Sequence, residues 1–145
     1  MQHQSKIVDD YVSAFVDLTP DNAEDLYNLV ANDVFFSDPF NVIYGKDGFR
    51  RIFDHMFETC DNPGFTVSDV AHSDTASYLR WKMTGKLKVW PHTSLLFEGM
   101  TEVHVNPQGL ICRHIDHWDS ASQLLIFIPI FGVPIRWLLA LFRVN

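Results

Sequence analysis

The sequence predicts an α+β domain in which three N-terminal helices cover one face of a mostly antiparallel sheet. Apolar residues recur at helical spacing in the first third of the chain, whereas after residues 61–64 most segments alternate as strands do. Helices followed by a run of strands are typical of the α+β class. The 145 residues, 47 % of them apolar and twelve of them Phe, are enough for one domain with a core of ordinary size.

Three helices are predicted before the main run of strands. The first covers residues 5–18 and is stopped by Pro20. The second ends near Asn32. The third covers residues 46–60, begins after the breaker Gly45, and carries a stripe of Phe, Ile and Met.

The strands are predicted from alternation and from turn residues. A short strand at 33–38 is closed by Pro39, and residues 40–44 are predicted to be a loop. Residues 61–64 (Asp-Asn-Pro-Gly) predict a turn. The later strands form a meander over residues 65–71, 76–87, 95–105 and 110–119.

The chain divides into a single domain over residues 1–122 and an apolar tail over residues 123–145. Roughly 20 apolar residues can span a bilayer, but two prolines and an arginine interrupt this segment. We expect a short helix that packs on the sheet or on a dimer partner. A peripheral membrane contact is the alternative, with Trp137 in the interface and Arg136 and Arg143 at the headgroups.

Charge and cysteine content exclude several classes of function. The net charge of −7, with no run of Lys or Arg, argues against nucleic acid as a partner. Cys60 and Cys112 are far apart and lack metal-ligand spacing, and no cofactor or metal is predicted. Two cysteines, with a polar start at residues 1–10 that lacks a signal-peptide pattern, predict a cytoplasmic protein.

The last predicted strand carries an unusual set of side chains. His114, Asp116 and Trp118 are two residues apart, so they share one face of the strand at spacings of about 7 Å. A carboxylate beside an imidazole can fix the imidazole tautomer and form an acid/base pair. The alternative is a hydrogen-bonded polar patch that is buried for structural reasons.

Asp38 is a second candidate for proton transfer. It precedes Pro39 within the aromatic run formed by Phe35, Phe36 and Phe40. An apolar wall removes water from a carboxylate and makes it a better proton acceptor. Asp before Pro is also common at the start of a turn, which is the alternative.

Apolar residues on the same predicted faces could line a ligand cavity or form the core. The hydroxyl of Tyr11 needs a partner if it is buried, and we expect Asp38 or Asp116 to be that partner. The predicted cavity residues are Phe36, Phe40, Trp81, Met83, Thr101, Val103 and Trp118.

Several short motifs, in this order and spacing, resemble the nuclear-transport-factor-2-like superfamily, which includes SnoaL-like polyketide cyclases, ketosteroid isomerases and limonene-epoxide hydrolases. The resemblance covers about residues 5–120. It rests on Tyr11-Val12-x-Ala14-Phe15, Asp33-x-x-Phe36-x-Asp38-Pro39, Gly45, the hairpin at 103–111, and Asp116-His117-Trp118.

The resemblance implies a cone-shaped half-barrel, a strongly curved sheet with an apolar cavity that the helices close. In ketosteroid isomerases an aspartate before a proline is the general base, which corresponds to Asp38. A first-helix tyrosine, here Tyr11, shares the oxyanion hole with a protonated aspartate. That second donor falls at Thr101, which is not an acid, so the isomerase pair is incomplete. Family pocket positions on the last strand fall at His114, Asp116 and Trp118.

The leading functional prediction is a cofactor-independent enzyme that transfers protons on an apolar small molecule, as an isomerase, cyclase or epoxide hydrolase. Asp38, His114, Asp116 and Tyr11 are its predicted catalytic residues. The alternatives are a non-catalytic ligand-binding protein and an interaction module that acts through the tail. We also expect a homodimer through the outer face of the sheet.

Overall fold

The computed structural model describes residues 2–143 of the chain. Met1 and residues 144–145, the ends of the two predicted units, lie outside the described residues. The helices are α1 (Gln2–Val16), α2 (Ala23–Asn28), α3 (Lys46–Thr59), α4 (Ser120–Gln123) and α5 (Gly132–Ala140), with a 3₁₀ turn at Leu125–Phe127. The strands are β1 (Val30–Ser37), β2 (Val42–Tyr44), β3 (Cys60–His72), β4 (Ser77–Leu87), β5 (Ser94–Val105) and β6 (Ile111–Trp118).

All six strands belong to one curved, unclosed sheet with the order β2-β1-β6-β5-β4-β3. Neighbouring strands are antiparallel except β1 and β6, which are parallel. The predicted α+β class and the predicted meander of four strands are therefore confirmed. The strand that is last in sequence, β6, is central in the sheet, where it pairs with β1 on one side and β5 on the other.

Two of the predicted irregular segments belong to strands. Within the predicted loop at 40–44, β2 pairs with β1, so the loop prediction was wrong there. The predicted turn at 61–64 lies inside β3, and the pairing with β4 shifts register between Asp61 and Gly64. Asn62 has a φ of 47° at this point. Pairing with β4 keeps these residues in the sheet, and β3 accommodates them as a bulge. This pairing between strands cannot be predicted from the turn residues alone.

The second helix is shorter than predicted, because Val30 already pairs with Ile111 in the sheet. The main core lies between α1, α2, α3 and the sheet. Its fully buried side chains include Val8, Leu26, Val34 and Phe49.

The tail does not pack broadly on the sheet. Helix α5 contacts mainly the 3₁₀ turn that precedes it, and most of its large apolar side chains are exposed. Within the described part of the chain, no helix has both the length and the apolar character needed to cross a bilayer.

Gly99 in β5 allows two tryptophans to lie side by side across the sheet. It pairs with Trp81 on β4 and with Trp118 on β6. A Cβ atom at Gly99 would lie 2.8 Å from the carbonyl oxygen of His117 and 2.7 Å from the Trp81 ring. Gly64 has no such constraint, because a Cβ there would be 3.6 Å from the Thr84 hydroxyl oxygen, an ordinary contact.

We expect Gly99→Ala to lower the free energy of unfolding by about 1–3 kcal/mol, because one of the contacts is with backbone and the strands must separate. Urea denaturation followed by tryptophan fluorescence measures this. Gly64→Ala is the matched control and should change stability much less. Equal effects of the two substitutions would contradict this account of Gly99.

Candidate functional site

A cavity of about 550 Å³ lies between α3 and the inner face of the sheet. Its size suits a small organic ligand, and its wall is mainly aromatic and aliphatic. The chain order explains the wall, since alternate residues of β4, β5 and β6 face inward while α3 presents its apolar stripe. The predicted residues that line it are Phe36, Asp38, Phe40, Trp81, Met83, Thr101, His114, Asp116 and Trp118.

Two predicted residues do not line the cavity. Val103 is 1 % exposed and lies in the main core. Tyr11 is fully buried and contacts His114 on the side away from the cavity. Its hydroxyl is 2.9 Å from Nδ1 of His114, so the expectation that Asp38 or Asp116 would be its partner was wrong.

A continuous line of hydrogen bonds crosses the sheet at the most buried part of the wall. Nε2 of His114 lies 2.9 Å from Oδ1 of Asp116. The Thr101 hydroxyl donates to the same oxygen. Trp81 Nε1–H in turn donates to the Thr101 hydroxyl over 2.8 Å. Tyr11, His114, Asp116, Thr101 and Trp81 thus form one network from four elements.

The register of the sheet creates this network. Thr101 on β5 is directly opposite Asp116 on β6, and His114 is opposite Phe36 on β1. Thr101 and His114 are 2 % and 4 % exposed. The Thr101 hydroxyl and both ring nitrogens of His114 therefore have partners where water hardly reaches, as buried polar groups require.

The network assigns the proton positions. Burial, and to a smaller degree the negative charge of Asp116, raises the pKa of the Tyr11 hydroxyl well above its usual value. The hydroxyl therefore keeps its proton and can donate a hydrogen bond to Nδ1 of His114, its one partner among the described residues. In a neutral imidazole that accepts from Tyr11 at Nδ1, the hydrogen is on the other ring nitrogen, Nε2, which donates to Asp116.

Aromatic rings fix the plane of the His114 imidazole. Phe36 stacks on it with centroids 5.0 Å apart and an interplanar angle of 22°. Phe15 and Phe49 contact it at 5.6 and 6.2 Å. These rings exclude water and leave the imidazole little freedom to rotate away from Asp116.

Asp116 keeps one carboxylate oxygen free. Both hydrogen bonds to its side chain fall on Oδ1, and none of the described residues bonds to Oδ2. Oδ2 is not fully buried, and the Asp116 side chain lines the cavity. A fixed carboxylate with one free oxygen can accept a proton from a ligand or hold a water molecule.

Asp38 lies in the cavity wall in a different state. Its Oδ1 accepts hydrogen bonds from the backbone N–H groups of Phe40 and Asn41 at 2.8 and 2.7 Å. The Asn41 side chain also donates to both carboxylate oxygens. Asp38 thus organises the turn after β1, which is the alternative that the Asp-Pro sequence predicted. Its role as a base stays a prediction.

Other polar groups in the wall come from α3 and the start of β3. Arg51 and His55 lie one helical turn apart, and both are exposed at the cavity. Burial raises the pKa of the Cys60 thiol, so this cysteine stays protonated and weakly nucleophilic. Among residues 2–143, no three His, Cys, Asp or Glu side chains gather in a way that could hold a metal ion.

Sequence reasoning found the inward face of β6 but missed the polar support behind it. Thr101 was predicted as a cavity residue that is not an acid, but not as a donor to Asp116, whose Oδ1 its hydroxyl binds. The alternation of Gly99, Thr101 and Val103 places Thr101 on the inner face. Its register with β6 depends on a one-residue shift between His104 and Val105, which the hairpin at 106–109 does not predict. Phe15 and Phe97 were also missed as wall residues.

Comparison with solved structures shows the same fold at low identity. A protein of ketosteroid isomerase-like fold from Catenulispora acidiphila, in complex with trimethylamine, is 17 % identical (TM-score 0.69; 90 % of this chain, 95 % of that one). A putative polyketide cyclase from Xanthomonas campestris is 16 % identical (TM-score 0.68; 83 % and 93 %). SalBIII, an epoxide hydrolase/cyclase-like enzyme with a role in pyran ring formation in salinomycin, is 12 % identical (TM-score 0.70; 84 % and 94 %).

No curated protein sequence matches this chain. A model of the SnoaL-like domain matches residues 8–114, well over half of the chain and all of the elements from α2 to β5. This match confirms the resemblance to the nuclear-transport-factor-2-like fold, and the chain belongs to the SnoaL-like domain family.

Proposed function

We propose that this protein is a cofactor-independent enzyme that transfers a proton on an apolar small molecule bound in the cavity. The observation that carries the proposal is Asp116, whose Oδ1 is held by two donors while Oδ2 is free in a mainly apolar cavity. A catalytic carboxylate needs this combination of fixed orientation and one available oxygen.

Asp116 is the general base in this proposal. Its Oδ2 takes a proton either from a carbon next to a carbonyl group or from a water molecule that then attacks an electrophile. The hydrogen bonds from His114 and Thr101 remain on Oδ1 and hold the carboxylate plane in place. The cavity of about 550 Å³ supplies the apolar body of the substrate with most of its contacts.

Tyr11 and Trp81 are positioning residues rather than catalytic ones in this scheme. Tyr11 acts through His114, because its hydroxyl lies behind the imidazole and does not line the cavity. Trp81 acts through Thr101. Asp38 is a second carboxylate in the wall, and its proposed part is to bind substrate or water opposite Asp116.

Isomerase, cyclase and epoxide-hydrolase chemistry all use such a base. The similarity to SalBIII, an epoxide hydrolase/cyclase-like enzyme, supports the inclusion of epoxides among the substrates to be tested. A non-catalytic ligand carrier is the second candidate, favoured by the largely apolar wall and by the occupied oxygens of Asp38.

We expect Asp116→Asn to lower kcat by about 10² or more, because the amide cannot accept the proton. Turnover is measured on apolar epoxides, with product analysis in ¹⁸O-labelled water, and on ketones that can exchange or shift a proton. Asp69→Asn, at an exposed aspartate on β3, is the matched control and should retain full activity. Ligand affinity, measured by calorimetry, should change little in either variant.

Two results would count against this assignment. Turnover that survives Asp116→Asn but is lost in Asp38→Asn would move the base to the turn after β1. Tight binding of apolar ligands with no turnover in the wild type, and unchanged binding in Asp116→Asn, would favour the carrier.

We expect the stability of the wild type to depend on Tyr11 at alkaline pH. The pKa of this hydroxyl is raised in the folded state, so its contribution is complete below the unfolded value of about 10 and is lost as pH rises above it. Above that pH, the free energy of unfolding should fall more steeply in the wild type than in Tyr11→Phe, by up to about 1.4 kcal/mol per pH unit.

Denaturant titrations between pH 7 and pH 11 measure this difference. Near pH 7, Tyr11→Phe should be less stable by about 1–3 kcal/mol, because Nδ1 of His114 loses its partner. Tyr44→Phe is the control, since Tyr44 is 75 % exposed. A gap between wild type and Tyr11→Phe that stays constant at all pH values would show that the hydroxyl is not held as described.

A further inference from the structure

The chain after α4 carries a large apolar surface that no described residue covers. We call it the tail surface. Large exposed apolar areas on a folded protein mark sites of interaction. Its eight members, each 52 % to 82 % exposed, are Phe127, Ile130, Phe131, Val133, Trp137, Leu138, Leu141 and Phe142.

This segment is folded and attached to the sheet. Arg136 Nη1–H donates to the Ile126 carbonyl oxygen over 2.7 Å, which ties α5 to the 3₁₀ turn. Gly132 is buried where this turn meets α5, and a Cβ there would lie 2.2 Å from the same oxygen. Gln123 makes two hydrogen bonds with the backbone of Glu98 on β5, at 2.6 and 3.0 Å. These contacts hold the segment that carries the tail surface in a fixed position relative to β5.

The charges of the segment are of one sign. Arg136 and Arg143 are the charged side chains among residues 120–143, although the whole chain has 18 acidic residues and a net charge of −7. The acidic residues are thus confined to the rest of the protein. This local positive charge is complementary to an anionic surface.

The geometry of α5 fits a lipid interface better than a second folded copy. Trp137 and Leu138 are adjacent in sequence, so they point about 100° apart, and both are more than half exposed. A rigid partner helix would cover one narrow stripe, whereas fluid acyl chains surround a wider arc. With nine residues α5 is only about 14 Å long, so it would lie in the plane of the interface.

We propose that the tail surface docks this protein on an anionic bilayer. The apolar side chains enter the boundary between headgroups and acyl chains, and Arg143 pairs with lipid phosphate. Trp137 lies at the headgroup level, where tryptophan is enriched in membrane proteins. This docking does not depend on the proposed enzymatic activity.

The test is co-sedimentation of the full chain with phosphatidylcholine vesicles, with and without phosphatidylglycerol. The wild type should bind the anionic vesicles, and added salt should weaken the binding. Trp137→Glu and Phe142→Glu should each weaken it at least about tenfold. Leu96→Glu is the matched control, because Leu96 is 57 % exposed on β5 outside the tail, and it should bind as the wild type does.

A second measurement does not depend on the charged variants. Lipids brominated in the acyl chain should quench tryptophan fluorescence of the wild type. In Trp137→Phe the extra quenching should disappear while co-sedimentation remains. Circular dichroism checks that each variant is folded.

Two outcomes would overturn the proposal. One is wild-type protein that stays in the supernatant with anionic vesicles and shows no quenching. The other is a wild-type dimer, detected by analytical ultracentrifugation, that dissociates in Trp137→Glu, while neither the wild type nor any variant binds vesicles. The second outcome would assign the tail surface to contact between copies of the chain.

Discussion

The candidate site depends on the buried contact between His114 and Asp116, and on the groups that hold this pair in place. A carboxylate beside an imidazole in an apolar wall is costly unless the buried polar atoms have partners. Here Tyr11 occupies one ring nitrogen, and Thr101 and His114 occupy one carboxylate oxygen. Oδ2 of Asp116 is left without a partner among the described residues, and it is the oxygen that the proposed chemistry uses.

The sheet makes this arrangement possible through its pairing pattern. Parallel pairing with β1 brings Phe36 beside His114, and antiparallel pairing with β5 brings Thr101 beside Asp116. Because β6 is central, its residues contact the Phe36 ring on β1 on one side and the Thr101 hydroxyl on β5 on the other. The helices contribute the closing wall and the Tyr11 hydroxyl. Fold and site are therefore consequences of the same register.

Much of this could be read from the sequence, because alternation places His114, Asp116 and Trp118 on one face whatever the partner strands are. The order of helices and strands likewise predicted the α+β class. The parts that sequence reasoning missed depend on pairing between distant segments. Residues 61–64 are turn-forming, but pairing with β4 keeps them in β3 as a bulge at Asn62. The partner of Tyr11 depends on packing that no local pattern encodes. Asp38 showed the limit of motif reasoning, since an Asp-Pro sequence serves a loop and a pocket equally well.

Tyr11 and His114 are 103 residues apart in the chain. During synthesis Tyr11 leaves the ribosome long before His114 is made. Its hydroxyl can therefore form this hydrogen bond only after nearly the whole domain has been synthesised. Any fragment that ends before β6 would contain the helices of the cavity wall and Asp38, but it would lack His114 and Asp116, and the Tyr11 hydroxyl would lack its partner. The candidate acid/base pair is consequently assembled late in synthesis, when β6 pairs between β1 and β5, both of which precede it in the chain.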